Sequence, residues 1–170
     1  MCASDRAAHA GTLFQENHEA LLRFLVRLTG DPDMAADVAQ DSFVCLLERP
    51  PREWSRTWLF RVATNLVRDR QRALRRRRLR LLGADHRVPR ADPTPMPDAA
   101  IEAAQHRRAV AAALAALAPK ERIALLMREE GFTQREIADA IGTTTKSVGT
   151  LTARAIRKLA RILGPELEAR

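Results

Sequence analysis

Between Thr133 and Leu151 the chain carries punctuation at intervals that leave it one local fold. Thr133 and Glu136 form a capping box, in which hydroxyl and carboxylate satisfy the orphan amides at a helix start. Ile137, Ala138 and Ile141 make the buried side of that helix, and Ala138 is small enough for a second helix to cross close by. Gly142 ends it, because a sharp turn needs the left-handed conformation that glycine adopts without steric cost. Thr143, Thr144 and Thr145 then offer hydroxyls to cap a following helix. Val148, Leu151, Ala155 and Leu159 recur at intervals of three and four, an apolar stripe that docks this helix on the first. Its other face carries Lys146, Ser147, Thr150, Arg154, Arg157 and Lys158, groups suited to phosphates and base edges. The pattern is a helix-turn-helix. An amphipathic hairpin inside a bundle is the blander alternative, but it needs only the apolar stripes.

The charge balance agrees with a polyanionic partner. Among 170 residues Lys and Arg exceed Asp and Glu by eight, and the pI is about 11.0. An arginine- and alanine-rich composition also arises in G+C-rich genomes, so clustering carries more weight than the total. Cys2 and Cys45 are too few and too isolated for a disulfide framework or a zinc site, which fits a reducing cytoplasm. No apolar run reaches the length of a membrane span and the N-terminus lacks signal-peptide order, so a soluble, cytoplasmic protein without membrane insertion is expected.

Two helical blocks flank a proline-rich stretch. Leu13, Leu21, Leu22, Leu25 and Leu28 line a first helix that stops at Gly30. Asp31 and Pro32 restart the chain as cap and first helical residue. The second helix runs to about Glu48 and buries Val38, Phe43, Leu46 and Leu47, with Cys45 on the same apolar stripe. Pro50 and Pro51 force a loop. A third helix begins near Ser55, carries Trp58, Leu59, Val62, Leu66 and Val67 on its apolar stripe, and passes into Arg72–Arg80. From Gly83 to Pro97 four prolines and scattered polar residues read as an extended linker. Helices follow over Ile101–Leu117 and Pro119–Glu130, the latter ended by Gly131. The expected architecture is all-α: a disordered N-terminus over 1–11, a helical domain over 12–82, a flexible linker over 83–98, a helix-turn-helix domain over 99–165 and a tail over 166–170. The chain stops soon after its last helix, so no regulatory C-terminal extension is expected.

Catalysis finds little support. The sequence holds no glycine-rich phosphate loop, no paired metal-binding histidines and no nucleophile elbow, so neither enzyme activity, cofactor nor metal is expected. Asp33, Asp37, Asp41 and Glu48 share one helical face without any sign of a substrate pocket, and a basic protein partner explains such a stripe better than acid–base chemistry. Eight arginines lie within Arg68–Arg80 with Asp69 the sole acid, a density that opposes folding unless phosphates or counterions neutralise it. Upstream, Trp54 and Trp58 bracket Arg56, with Asn65 two turns on. Rings and guanidinium planes stack on unpaired bases and an Asn amide reads a base edge. Trp58 falls on the apolar stripe with Val62 and Leu66, which favours core packing; Trp54, in the loop, is the better candidate for a base.

These segments together resemble an extracytoplasmic-function, or group IV, sigma factor of bacterial RNA polymerase, over nearly the whole chain. Asp37-Val38-Ala39-Gln40-Asp41-Ser42-Phe43 resembles the family's acid-x-x-Gln-acid-x-Phe helix, which implies that Asp37, Gln40, Asp41 and Phe43 bind the polymerase core. Thr57 to Asn65, followed by Asp69 and Arg70, is similar to the segment that opens the −10 element. The resemblance implies contacts there from Trp54, Arg56, Trp58, Arg61, Asn65 and Arg68, with Asn65 lining a pocket for a flipped base. Leu117 to Leu159 resembles the −35-binding domain, implying contacts from Thr144, Thr145, Lys146, Ser147, Thr150 and Arg154. Gly149 and Leu151 stand where many relatives carry basic contacts, so no phosphate contact is carried onto them. The short Trp-bearing loop is somewhat like that of the iron-starvation sigma factors.

The resemblance implies a protein that does no chemistry itself. It would bring core polymerase to promoter DNA, fix the spacing of two elements, and be restrained by an anti-sigma factor. A stand-alone helix-turn-helix transcriptional regulator is the alternative from another class and an RNA-binding protein using the arginine tract is a third. The acidic helix separates them, because only the sigma reading needs it.

Overall fold

The computed structural model describes residues 3–49, 54–81 and 98–168. Among them are seven helices and no strand: α1 (Ala3–Thr29), α2 (Pro32–Glu48), α3 (Arg56–Leu81), α4 (Asp98–Ala115), α5 (Pro119–Glu129), α6 (Gln134–Ile141) and α7 (Thr145–Glu168). The Pro50–Pro51 loop and the proline-rich linker fall outside the described residues, so the flexible-linker expectation does too.

The helices start and stop where local chemistry requires. Gly30 leaves α1 with φ +72° and donates its amide to Val26 O at 2.9 Å. The Asp31 carboxylate accepts from the amides of Asp33 and Met34, both at 3.0 Å, capping α2. Gly131 takes φ +84° after α5. At its N-terminal end α1 departs from expectation: helix runs through most of the stretch read as disordered, and Ala10 is buried with Leu13 against the core.

Leu21, Phe24 and Leu25 of α1, Val38 and Leu46 of α2, and Leu59, Phe60 and Ala63 of α3 are fully buried and fill the first three-helix layer. Several residues of the expected stripes lie elsewhere. Leu47 is 53% exposed, because Leu46 beside it points inward and successive helical residues diverge by about 100°. Cys45 is only half-buried. On α3 the deep face is Phe60, Ala63, Thr64 and Val67, with Trp58, Val62 and Leu66 on its flank. The buried hydroxyls of Ser42, Thr64 and Thr152 donate to the carbonyls of Val38, Phe60 and Val148, which satisfies each within its own helix.

In the second half, Leu114 of α4, Ile123, Leu126 and Met127 of α5, Ile137 of α6, and Val148 and Ala155 of α7 form the core. Glu121 is buried between helices. It accepts the Ala118 amide at 3.2 Å and the Lys158 ammonium at 2.7 Å, fastening α7 to α5. The Lys158 hydrogen bond foremost holds the Glu121 carboxyl below its usual range. Lys158, read from sequence as part of the outward basic face, is therefore committed inward.

The two halves do not stand apart. Phe24, Phe60 and Phe132 make a continuous aromatic run, with centroid separations of 5.1 and 4.7 Å, from α1 through α3 to the turn before α6. Arg122 of α5 donates to Leu28 O of α1 at 3.1 Å, and burial lowers its pKa. Beside it Thr64 and Val67 face Pro119 and Ile123 across a small crevice.

Candidate nucleic-acid interface

The helix-turn-helix is built as its punctuation requires. Thr133 Oγ1 accepts the Glu136 amide at 3.3 Å, while Glu136 Oε2 accepts the Thr133 amide at 2.8 Å. Gly142 closes α6 with φ +62°. Thr144 Oγ1 accepts the Ser147 amide at 3.2 Å and fixes the start of α7. Val148, Thr152 and Ala155 turn inward. Thr144, Thr145, Lys146, Thr150 and Arg154 are exposed and Ser147 is half-buried; Lys146, Ser147, Thr150 and Arg154 follow one side of the first three turns, with Thr144 and Thr145 at the helix start. Lys146 and Arg154 supply positive charge there, and the three threonines supply hydroxyls.

The start of α3 is arranged differently. Arg61 and Asn65 are exposed, one turn apart, and Arg68 reaches Asn65 Oδ1 at 3.5 Å. Arg56 and Trp58 are half-buried. Trp54 is half-buried as well, packed on the core and 5.9 Å from the His9 ring, with its indole N–H buried and making no hydrogen bond among the described residues. The contrast drawn from sequence between a free Trp54 and a packed Trp58 is absent: both rings lean on the core. The Arg56 guanidinium lies 4.2 Å from the Phe132 ring centroid and donates to Glu130 O at 2.6 Å. Thr57 donates to Glu136 Oε1 at 3.1 Å. Glu130, Phe132 and Glu136 all belong to the second half, and sequence reasoning assigned them no role towards α3.

The acidic stripe lies on α2. Asp37 and Gln40 are exposed and Asp41 is partly so, whereas Phe43 is buried and meets Phe14 edge-on at 4.6 Å. Arg70 of α3 reaches over to Asp41 and, at 3.6 Å, to Asp37. Two of the residues expected to bind core, Asp37 and Asp41, are thus joined by ion pairs to Arg70 across α2 and α3. Phe14, Val44 and Leu47 are exposed apolar residues of α1 and α2. Beyond Arg70, Arg72, Arg75, Arg76, Arg77 and Arg80 are exposed along α3 and form a basic helical arm.

No group of three His, Cys, Asp or Glu that could hold a metal occurs among the described residues. Nor, among them, is any helix long and apolar enough to cross a membrane.

Residues 13–78 match the family described as sigma-70 region 2, and residues 107–159 match sigma-70, region 4. The chain is 31% identical over 168 residues to the ECF RNA polymerase sigma factor SigL of Mycobacterium tuberculosis, covering 92% of this chain and 90% of that one. It is 32% identical over 174 residues to SigG of the same species, covering 82% of this chain and 44% of the relative. Two solved structures share the fold. One, of the sigma factor RpoE with the anti-sigma factor NepR from Bartonella quintana, has a TM-score of 0.68, 20% identity and coverage of 88% of this chain and 95% of that one. The other, of CnrH with the cytosolic domain of CnrY, has a TM-score of 0.66, 24% identity and coverage of 96% and 95%. A region 2 match ahead of the helix-turn-helix leaves the stand-alone regulator without support.

Proposed function

The chain belongs to the extracytoplasmic-function sigma factors of the sigma-70 family, and on that premise we propose how its surfaces divide the work. It directs RNA polymerase core to specific promoters and initiates transcription. Residues 12–82 act as the domain that docks on core through Asp37, Gln40, Asp41 and Phe43 and captures the −10 element through Trp54, Arg56, Trp58, Arg61, Asn65 and Arg68. Residues 99–165 act as the domain that reads the −35 element through Thr144, Thr145, Lys146, Ser147, Thr150 and Arg154, with 83–98 as the tether.

The observation that supports this reading is the exposure of the second group: Lys146, Thr150 and Arg154 share the outward side of a helix whose start is fixed by Thr144 and whose inner face is buried, and Thr144, Thr145 and the half-buried Ser147 stand at that start. A bidentate side chain–base contact is worth about 1–3 kcal/mol, enough to choose among promoters once polymerase supplies non-specific affinity. Melting at the −10 element is a capture. A flipped base finds stacking partners and the Asn65 amide, which a paired base cannot reach. The chain does no chemistry of its own, works in the cytoplasm, and is held in check by an anti-sigma factor, as the two structural neighbours are bound by named partners.

Run-off transcription with sigma-free core on sheared genomic DNA, with 5′-end sequencing, tests the function. Discrete starts preceded by two elements at constant spacing are expected; absence of new starts overturns it. Asp41→Lys tests the docking surface: association with core should fall about thirtyfold or more, as for removal of a close interfacial charge partner, with the helical signal retained. Wild-type association would remove Asp41 from that surface.

A further inference from the structure

Arg70 leaves α3 on the side away from the −10 residues. At about 100° per helical residue it lies roughly 140–180° round the axis from Arg61, Asn65 and Arg68. What it meets there is α2. Its Nη2 donates to Asp41 Oδ2 and its Nη1 stands 3.6 Å from Asp37 Oδ2, so one guanidinium spans two carboxylates a helical turn apart. The side chain of Asp37 is 72% exposed and that of Asp41 49%, against 31% for Arg70. The cation therefore lies beneath the acids, and the acids face outward. Asp33 and Glu48 complete the stripe, are exposed, and have no ion pair among the described residues. Of the described arginines from Arg61 to Arg80, only Arg70 pairs with another helix, while Arg72 pairs with Asp69 of its own.

We propose that Arg70 is a positioning residue for core docking, which holds Asp37 and Asp41 with their free oxygens presented together before polymerase arrives. This rests on the assignment of those two acids to the core-binding surface. Like charges one helical turn apart repel each other, and a cation between them removes that tendency to splay. Ordering a side chain on binding costs affinity, and the guanidinium has already ordered these two. An ion pair this exposed contributes little to folding, so its effect falls on binding.

The test is equilibrium association of the full chain with sigma-free core polymerase, measured by biolayer interferometry. Arg70→Gln should weaken it about three- to tenfold, the range for ordering one rotamer-rich side chain on binding, with the melting midpoint unchanged. The substitution makes the chain less positive, which by itself favours a basic partner, so a loss is not general electrostatics. Arg70→Lys, a point charge without the planar fork, should recover part of the loss. In an Asp37→Asn, Asp41→Asn background, Arg70→Gln should cost nothing further. Arginine side-chain NMR spectra of the free chain give an independent readout: hindered rotation should resolve the two Arg70 Nη signals in the parent, and they should merge in the Asn background. Unchanged association of Arg70→Gln overturns the proposal, and tighter association overturns it by making Arg70 a screen on the acids. An undiminished loss in the Asn background, or a lowered midpoint, overturns it in favour of a role in the fold. Merged signals in the parent overturn the brace itself. Parent-like association of the Asn background with resolved parent signals would remove both acids from the docking surface, and with them the role of Arg70 there, a failure of the underlying assignment that leaves the ion pair standing.

Discussion

The outward face of α7 and the start of α3 are both polar, basic helix surfaces, yet one is open and the other covered. The difference lies in the width of the apolar stripe beneath. α7 buries Val148, Thr152 and Ala155 on one side, and Lys146, Thr150 and Arg154 opposite them are exposed. α3 buries Leu59, Phe60 and Ala63, and Phe60 touches Phe24 on one side and Phe132 on the other. A stripe that wide accepts a second layer. The layer then covers whatever polar groups border it, Arg56 and Thr57 first. A binding surface on a helix stays free where no apolar residue at its border draws a further layer over it.

The sharpest way to break this contrast is Phe132→Ala. The ring is 5% exposed and sandwiched by Phe60 and Arg56, so the substitution should cost about 3–5 kcal/mol in urea unfolding. A loss below about 1 kcal/mol would mean that packing does not hold the covered region. On the open side, Arg154→Ala should weaken holoenzyme binding to promoter duplex by about 1–3 kcal/mol and leave the melting midpoint where it was. A lowered midpoint would show that this face is structural after all. Gly149→Ala should stabilise by roughly 1 kcal/mol, since an added Cβ meets nothing within 4 Å and alanine is the better helix former. If promoter binding falls at the same time, the glycine serves close approach of the α7 backbone to DNA.

Acid should loosen the covered region at the start of α6. Hydrogen bonds from Thr133 foremost, then from Thr57, hold the Glu136 carboxyl below 4.5, its ordinary value. Because the folded pKa is depressed, this contribution is fully present above that ordinary value and is lost as pH falls through the folded one. Amides at the start of α6 should therefore exchange faster on acidification below the ordinary carboxylate range. In Glu136→Gln the acid-dependent part of that change should disappear; an unaltered pH profile would assign it to another group.

The helix-turn-helix was legible to within a residue, because its boundaries are set by groups that act over four residues or fewer: Thr133 with Glu136, Gly142, and Thr144 with Ser147. The Asp31 cap and the glycines after α1 and α5 were equally local. Errors gathered where a choice depends on distant packing. Periodicity placed Trp58, Val62 and Leu66 on a shared face of α3 but could not say that Phe60, Ala63 and Thr64 beside them would lie deepest. For the same reason Leu47 proved exposed, Trp54 packed against α1, and Lys158 paired with Glu121 rather than facing outward. No spacing rule relates Arg56 to Glu130, seventy-four residues away, or Arg23 to the same carboxylate.

By itself, then, the sequence determined the all-helical elements, their caps and turns, and the basic face of α7, since each follows from hydrogen-bond geometry and side-chain sterics within a turn or two of helix. Only the tertiary structure decided which faces were covered. That outcome belongs to whichever apolar surfaces find one another across the chain, and here Phe60 and Phe132 did, bringing the second half of the protein down on Arg56.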